Sequence, residues 1–346
     1  MDKFLSLSEA RRRTICEQAQ ARLGLPPATI EKDFWVCWTL KKLFRLPKWS
    51  SQLTFKGGTS LSKGWAMIKR FSEDIDIVIN RGGLGFGGDM APEQAPSKKQ
   101  MRKRLKLLKE ASQQCVNQIV LPLLADAIAE EMPSQLSWRL ESDPHDPDNQ
   151  TLLFIYPTAF ADQTAYLEQM VKIEMGARSD TEPTLNIEIQ PYIEDAFPDL
   201  IPGSRFFVKV VSLNRTFWEK AMLLHEETFR PIDKSRKARM ARHYYDLYCL
   251  IEAGIGSKAA DDIQLFDRIA AHRQVYFRYT WVDYTTLCVG QLRLVPPEEQ
   301  IALWRSDYRA MQKEMFFGKP PRFEEIIQSV KVFQDQFNQN TNVTLD

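Results

Sequence analysis

The sequence lacks any pattern of paired cysteines. Its five, Cys16, Cys37, Cys115, Cys249 and Cys288, are far apart and odd in number. That excludes a disulfide framework and any close-spaced metal knuckle, and implies reduced thiols. The four histidines, His145, His225, His243 and His272, are scattered as well. Net charge is nearly absent: 46 Lys and Arg against 45 Asp and Glu leave +1. No whole-chain field therefore points to nucleic acid or membrane, and any such preference must be local. No apolar run nears the roughly 20 residues that span a bilayer. The opening residues, MDKFLSLSEARRRT, have neither the apolar core nor the cleavage site of a secretory leader. Together these absences predict a cytoplasmic protein with no membrane partner. Internal repeats and low-complexity tracts are missing too.

What remains is an ordinary globular composition, 44% hydrophobic and 26% charged, in a chain of 346 residues, long enough for two domains. Residues 1–50 read as a helical segment. Its second helix, ATIEKDFWVCWTLKKLF, places Ile30, Phe34, Cys37, Trp38 and Lys41 at helical spacing, as a packed helix would. Residues 51 to about 80 read strand, helix, strand. Residues 81–97, RGGLGFGGDMAPEQAPS, are glycine- and proline-rich and predict a loop. A long basic helix follows to Met132. Between 150 and 211 the stretches TLLFIYP, MVKIEMGAR, TLNIEIQPYI and FFVKVVSL alternate as strands do. From 214 onward the pattern is helical. The outline is α+β, with a sheet-bearing core over 51–211 and a helical domain over 212–346.

The stretch that carries chemistry is FKGGTSLSKGWAMIKRFSEDIDIVIN, residues 55–80. Side chains alternate across a strand. In DIDIVIN, Ile75, Ile77 and Ile79 share one face, and Asp74 and Asp76 share the other. Two carboxylates this close repel unless a proton or a cation lies between them. A divalent metal with a taste for hard oxygen ligands, Mg²⁺ or Mn²⁺, meets that need. Gly57 and Gly58 follow an apolar run and open a helix, with Thr59 or Ser60 available as its N-cap. Backbone N–H groups at such a start can approach phosphate oxygens. Thr59, Ser60 and Lys63 are then candidates to touch a triphosphate. Taken singly, a GG turn or a D-x-D strand is ordinary. The order strand, GG, helix, D-x-D strand is far more specific.

That order resembles the signature of nucleotidyltransferases of the DNA polymerase β type, and more closely the AbiEii/AbiGii toxin family of bacterial nucleotidyltransferases. EKDFWV, FKGGTSLSK, RFSEDIDI, KIEMGARSD, RTFWEKAMLLHEE and RHYYDLYCL are similar to family blocks, in family order, over roughly residues 30–250. The spacing from Gly58 to Asp74 is a little longer than in the wider superfamily. The resemblance implies a mixed twisted sheet flanked by helices, with N-terminal helices and a helical C-terminal domain. It implies transfer of NMP from an NTP to an acceptor hydroxyl, with release of pyrophosphate. Family members act as toxins of toxin–antitoxin or phage-defence systems, and some modify tRNA. A cognate antitoxin and an RNA acceptor are thus implied partners. The acceptor alternatives are a small molecule or a protein hydroxyl, and the alternative class is a nucleotide-binding module without turnover.

The same resemblance places a third acid at Glu174, as metal ligand or proton acceptor, with Glu188 in LNIEIQ as its rival. Arg178 is then a phosphate contact. Lys220 takes a nucleotide role as a point charge, and Asp246 orients it or the substrate. The residues themselves add a capping box, Thr216 to Glu219, and an i, i+4 pair, Arg242 to Asp246, of roughly 0.2–0.5 kcal/mol. His243 reads as a satisfied surface histidine or a base. Two basic clusters stand out. Residues 98–109 hold seven Lys or Arg and no acid, and residues 230–242 hold six against Asp233. Either suits RNA phosphates or plain solvent. The aromatic stretch VYFRYTWVDYTTL reads as helix packing.

Overall fold

The computed structural model of the protein describes residues 1–161, 168–198, 200–312 and 315–339. They form two compact units, residues 1–64 with 71–211, and residues 65–70 with 212–346. Residues 1–50 and the strands that follow them thus share one unit.

In the first unit, helix α1 (Glu9–Leu23) begins at Ser8, whose side chain accepts from Arg11 N, and stops at Gly24 in the left-handed region, φ 68°. Helix α2 (Pro27–Leu43) starts on Pro27, whose missing N–H costs nothing at a helix start. Fourteen of its seventeen residues are buried. A helix buried on all sides needs partners for its charges. Glu31 accepts from Thr158 Oγ1 at 2.6 Å and from Ala159 N at 2.8 Å. Lys32 donates to Glu168 O at 2.7 Å and pairs with Glu73. Asp33 pairs with Lys63 at 2.9 Å and accepts from Tyr192 N. The apolar side of α2 meets the sheet through rings: Trp35 stacks on Tyr156, and Trp38 on Phe154.

The sheet has seven strands: β1 (Leu53–Lys56), β2 (Ile75–Ile79), β3 (Arg139–Ser142), β4 (Thr151–Ile155), β5 (Met170–Gly176), β6 (Thr184–Ile189) and β7 (Phe206–Val211). Their order is β3-β4-β5-β2-β1-β7-β6. Pairing of β2 with β5 and of β1 with β7 is parallel, and the other pairings are antiparallel. The mixed sheet with flanking helices makes the unit α+β, as expected. Ile75, Ile77 and Ile79 are all buried, so the apolar face of β2 is the one the alternation predicts.

The expected basic helix is α3 (Lys98–Gln114) joined to α4 (Leu121–Glu131) through one π-helical turn, Cys115–Val120. Pro122, in the first turn of α4, has no N–H to give to that ladder, and a wider turn accommodates the gap. The glycine-rich segment before α3 is three short 3₁₀ turns, and Arg104 of α3 holds two of its carbonyls, Asp89 O and Ala91 O.

The second unit is helical: α5 (Leu213–Thr228), α6 (Arg242–Glu252), α7 (Ile263–Tyr276), α8 (Glu298–Gln312) and α9 (Phe323–Gln339). Helix α5 starts earlier than the Thr216 capping box predicts. Its cap is Ser212, whose side chain accepts from Arg215 N, while Thr216 turns back to Ser212 O. Trp218 centres the core, with Phe266 at 4.7 Å and Phe337 at 4.9 Å. The segment 65–70 joins this unit through Phe317 N to Lys69 O and Lys69 N to Tyr245 Oη. No described helix is long and apolar enough to cross a membrane.

His225 on α5 is fully enclosed by this unit. Its Nδ1 accepts from Arg293 N at 3.0 Å. Thr286 Oγ1 gives its proton to Asp283 O, so His225 Nε2 must be the donor to Thr286. The ring is therefore neutral, and a second proton on Nδ1 would face an N–H donor. Burial, with Arg293 and Arg273 nearby, lowers its pKa to about 4. Below the unfolded value of 6.5 the unfolded chain takes a proton that the folded chain refuses. Stability should thus fall by up to about 3 kcal/mol as pH drops from the unfolded to the folded value, using about 1.36 kcal/mol per pKa unit. Urea midpoints at neutral and mildly acidic pH check this. The wild type should lose more stability over that range than His225→Gln, and equal losses would contradict it.

Candidate functional site

The site face of the first unit is set by strand register. Lys56 of β1 faces Asp76 of β2, Asp76 faces Glu174 of β5, and Glu174 faces Thr151 of β4. Paired residues on neighbouring strands point to one side of the sheet, about 4.8 Å apart. Lys56, Asp76 and Glu174 therefore form a row on the face opposite the isoleucines. Glu188 lies on β6, at the sheet edge and three strands from β2, with Arg205 at 3.9 Å. Register thus puts Glu174, and not its rival, beside Asp76. Glu174 is exposed and takes Lys172 Nζ at 3.0 Å.

Two contacts fix both aspartates to the glycine turn. Gly57 has φ +80°, a conformation that L side chains rarely adopt. A Cβ built on it would lie 1.8 Å from Asp76 Oδ2. The carboxylate occupies the space that any other residue would fill. Asp74 immediately precedes β2, and its carbonyl accepts from Thr59 Oγ1 at 2.5 Å. The helix that opens at Gly57 is short. Gly57–Thr59 runs into one π-helical turn, Ser60–Gly64, and the chain then leaves the helix. It ends where Gly64 meets Ile187 so closely that a Cβ would fall 2.2 Å from Ile187 Cδ1.

The hydroxyls and the lysine of this turn face inward. Thr59 and Ser60 are buried, and Ser60 Oγ donates to Gly57 O at 2.8 Å. Both shape the turn itself. Lys63 Nζ is buried between Asp33, at 2.9 Å, and the Tyr192 ring, 3.6 Å from its centroid. In this conformation its charge is committed to Asp33. Arg178 is exposed beyond the end of β5. Lys56 donates to Ser179 Oγ at 3.0 Å. Asp33 was not foreseen. Its signal was the charged run Glu31-Lys32-Asp33 within a helix of packing residues.

Lys220 and Asp246 belong to the second unit. Asp246 is fully buried and accepts from Arg70 Nε at 2.7 Å, Arg70 Nη2 at 2.8 Å and Lys220 Nζ at 2.8 Å. The expected partner of Asp246 was Arg242, one helical turn away, but the bidentate fork of Arg70 is the better match for a buried carboxylate. Burial alone would raise the Asp246 pKa. The two cations outweigh it and hold the carboxyl well below its ordinary range. Lys220 shares its one acid with Arg70, so burial prevails and its pKa is lowered. The three side chains together carry +1, which leaves an attraction for an anion. His243, expected as a satisfied surface residue, has a buried Nδ1 with no hydrogen-bond partner.

A metal must be weighed against these residues. Among the described residues, no three His, Cys, Asp or Glu side chains converge on one point. Mg²⁺ does not require such a cage, because it binds through one or two carboxylates and completes its shell with water and phosphate oxygens. Asp74 and Asp76, hard donors on one side of the sheet and neither of them buried, fit that habit. Glu174 stands next in register.

Two outcomes follow from these contacts. Gly57→Ala should cost about 1–3 kcal/mol of stability through backbone strain and displace Asp76. In an Asp76→Ala background the same change should cost less, since the clash is gone, and an unchanged cost in urea unfolding would refute the contact. Asp246→Asn should cost about 3–5 kcal/mol by leaving two buried cations without a counter-charge. Arg70→Met should cost less, because Lys220 and Asp246 remain a neutral pair, and thermal melts of the two variants give the order.

Comparison with known proteins agrees with the motif order. A family model described as nucleotidyl transferase AbiEii toxin, type IV toxin–antitoxin system, matches residues 38–329. No curated protein sequence matches significantly. Solved structures similar to this one include JHP933 from Helicobacter pylori, with TM-score 0.41 and 12% identity over 90% of this chain and 94% of that one. Another is MenT4, nucleotidyltransferase toxin Rv2826c from Mycobacterium tuberculosis H37Rv, with TM-score 0.31 and 16% identity over 88% of this chain and 99% of that one. The family match takes in the paired glycines, the aspartate strand, Glu174, Lys220 and Asp246, and the chain belongs to the AbiEii family of nucleotidyltransferase toxins of toxin–antitoxin systems.

Proposed function

We propose that this nucleotidyltransferase uses Mg²⁺ or Mn²⁺ to transfer NMP from an NTP to a hydroxyl of RNA, with tRNA as the acceptor class, in the cytoplasm. The observation that carries the reading is the fixed approach of Asp76 to Gly57, which joins an acid pair to the paired-glycine turn. Asp74 and Asp76 would hold the metal, and Glu174 would stand as third ligand or as proton acceptor. The ion would supply charge neutralisation at the phosphates. The Gly57–Gly58 turn takes phosphate oxygens on its backbone. The acceptor oxygen attacks the α-phosphorus, the bond to the bridging oxygen breaks, and pyrophosphate leaves. Glu174, exposed on the same face, receives the hydroxyl proton. Lys220, in a cluster of net positive charge, attracts a phosphate group, and Asp246 holds it in place. Arg178 is a second phosphate contact. Catalysis on this reading is positioning and charge neutralisation, with no covalent intermediate.

The acceptor is read as RNA because two segments gather cations in an otherwise neutral chain. Family membership brings the role of toxin in a toxin–antitoxin system, and a cognate antitoxin as partner and phage defence as the setting are parts of the proposal.

Incubation with each labelled NTP, Mg²⁺ and tRNA should label the RNA. Asp74→Asn and Asp76→Asn should each lower the rate at least about 100-fold, and chelation by EDTA should abolish it. Label that goes to a metabolite extract or to protein instead would move the acceptor to a small molecule or a protein hydroxyl. If Asp74→Asn still stops growth in cells, turnover is not the toxic act.

A further inference from the structure

The second basic segment, residues 230–242, does not lie flat on the second unit. It wraps a cavity of about 360 Å³ lined by Arg230, Ile232, Lys234, Arg236, Lys237 and Leu303, among others. The loop is built, not draped. Asp307 of α8 accepts from Arg239 N at 2.6 Å and from Ala241 N at 2.7 Å. Glu227 of α5 takes two guanidinium groups at once, Arg230 at 2.7 Å and Arg236 at 2.8 Å. One carboxylate thus faces two cations, while Lys234 and Lys237 add two more on exposed positions. An aromatic column adjoins these charges. Lys234 Nζ lies 4.1 Å from the centre of the Trp281 ring, and Trp281 stacks on Tyr279 at 4.7 Å and 21°. Tyr279, 38% exposed, ends the column. Ile232 and Leu303, 65% and 54% exposed, give the cavity an apolar wall.

We propose that this groove is a docking site for a single strand of RNA, with phosphates on Lys234 and Lys237 and a base stacked on Tyr279. A strand of nucleic acid offers both things the groove displays, a line of negative charge and flat π faces at its side. Base–aromatic stacking works for every base, so the groove would grip a strand without reading its sequence. An acidic protein segment would satisfy the lysines but has no use for the stacked Tyr279–Trp281 pair. The cations of α3 are a weaker candidate: Lys99, Arg102, Lys103 and Lys106 lie exposed along a single helix. The inference rests on the RNA-acceptor reading above for its biological sense, but binding can be measured without transfer.

The test uses the full chain and a fluorescein-labelled single-stranded RNA of 12 nucleotides, followed by anisotropy across a salt series. Wild type should bind, with affinity falling steeply as salt rises. Tyr279→Ala should weaken binding about tenfold or more. Lys234→Glu with Lys237→Glu should weaken it at least as much and reduce the salt slope by about 1.4, since each phosphate contact on a single strand contributes about 0.7. Lys99→Glu with Lys103→Glu should leave it unchanged. All five positions are exposed on the surface, and circular dichroism melts verify that the variants fold. Absent binding by wild type, or loss of binding in the α3 variant alone, overturns the proposal. So does competition by polyglutamate at equal charge combined with no effect of Tyr279→Ala, which would assign the groove to an acidic protein segment. Labelled-NTP transfer run in parallel separates the two readings. RNA that binds the groove but receives no label removes the proposed acceptor and keeps the groove, whereas full transfer by the groove variants with unchanged binding removes the groove and keeps the acceptor.

Discussion

The carboxylate of Asp76 rests where the side chain of residue 57 would be, and the site face depends on that one steric fact. A strand can display acids anywhere along its polar side. Only glycine at 57, turned to φ +80°, lets this acid lie against the backbone of the turn. Thr59 then ties the same turn to Asp74 through the carbonyl. One three-residue stretch of helix therefore positions both aspartates. Position 57 is glycine for the sake of a residue nineteen places further along, and the constraint runs between a turn and a strand rather than within either.

Helix α2 supplies the rigidity behind that contact. Its charged residues are buried, and a buried charge stands only where its partners are exact in number and place. Asp33 meets that condition by holding Lys63, whose ammonium also lies on the Tyr192 ring. The lysine ends the turn that Gly57 begins. The pair thus closes the turn from the helix side while Thr59 closes it from the strand side. Burial, the larger effect, raises the Asp33 pKa despite the neighbouring cation, whereas the pull of Asp33 overcomes burial to raise that of Lys63. The pair commits the lysine charge to the inside of the turn.

Alternation along DIDIVIN made the two faces of β2 legible in the sequence, and the paired glycines marked the turn. Those are local patterns, and local patterns survive in a sequence. What was not legible is what depends on strand order. Glu174 and Glu188 alternate equally well in their own strands, and only the order β5-β2-β1-β7-β6 separates them. The inward turn of Thr59 and Lys63 was hidden because their partners, Ser72, Asp74 and Asp33, lie outside the turn, while Ser60 bonds locally to Gly57 O. Asp246 looked like half of a helical i, i+4 pair with Arg242. Its actual partner, Arg70, is 176 residues away along the chain. The assignment of residues 65–70 to the helical unit is likewise invisible in a sequence that reads as one run from strand to strand.

A net charge of +1 concealed a marked separation of charge. In the first unit, acids share a sheet face within reach of one another, an arrangement that repels unless cations gather there. In the second unit the imbalance has the opposite sign. Asp246 answers two cations, Arg70 and Lys220. Glu227 answers two more, Arg230 and Arg236. Each carboxylate accepts from two cations, so each cluster holds one more positive group than negative. A sum over the whole chain cancels these two tendencies. Only the placement of each acid against its own partners reveals that acids cluster on the sheet face of one unit and that cations outnumber the acids they share in the other.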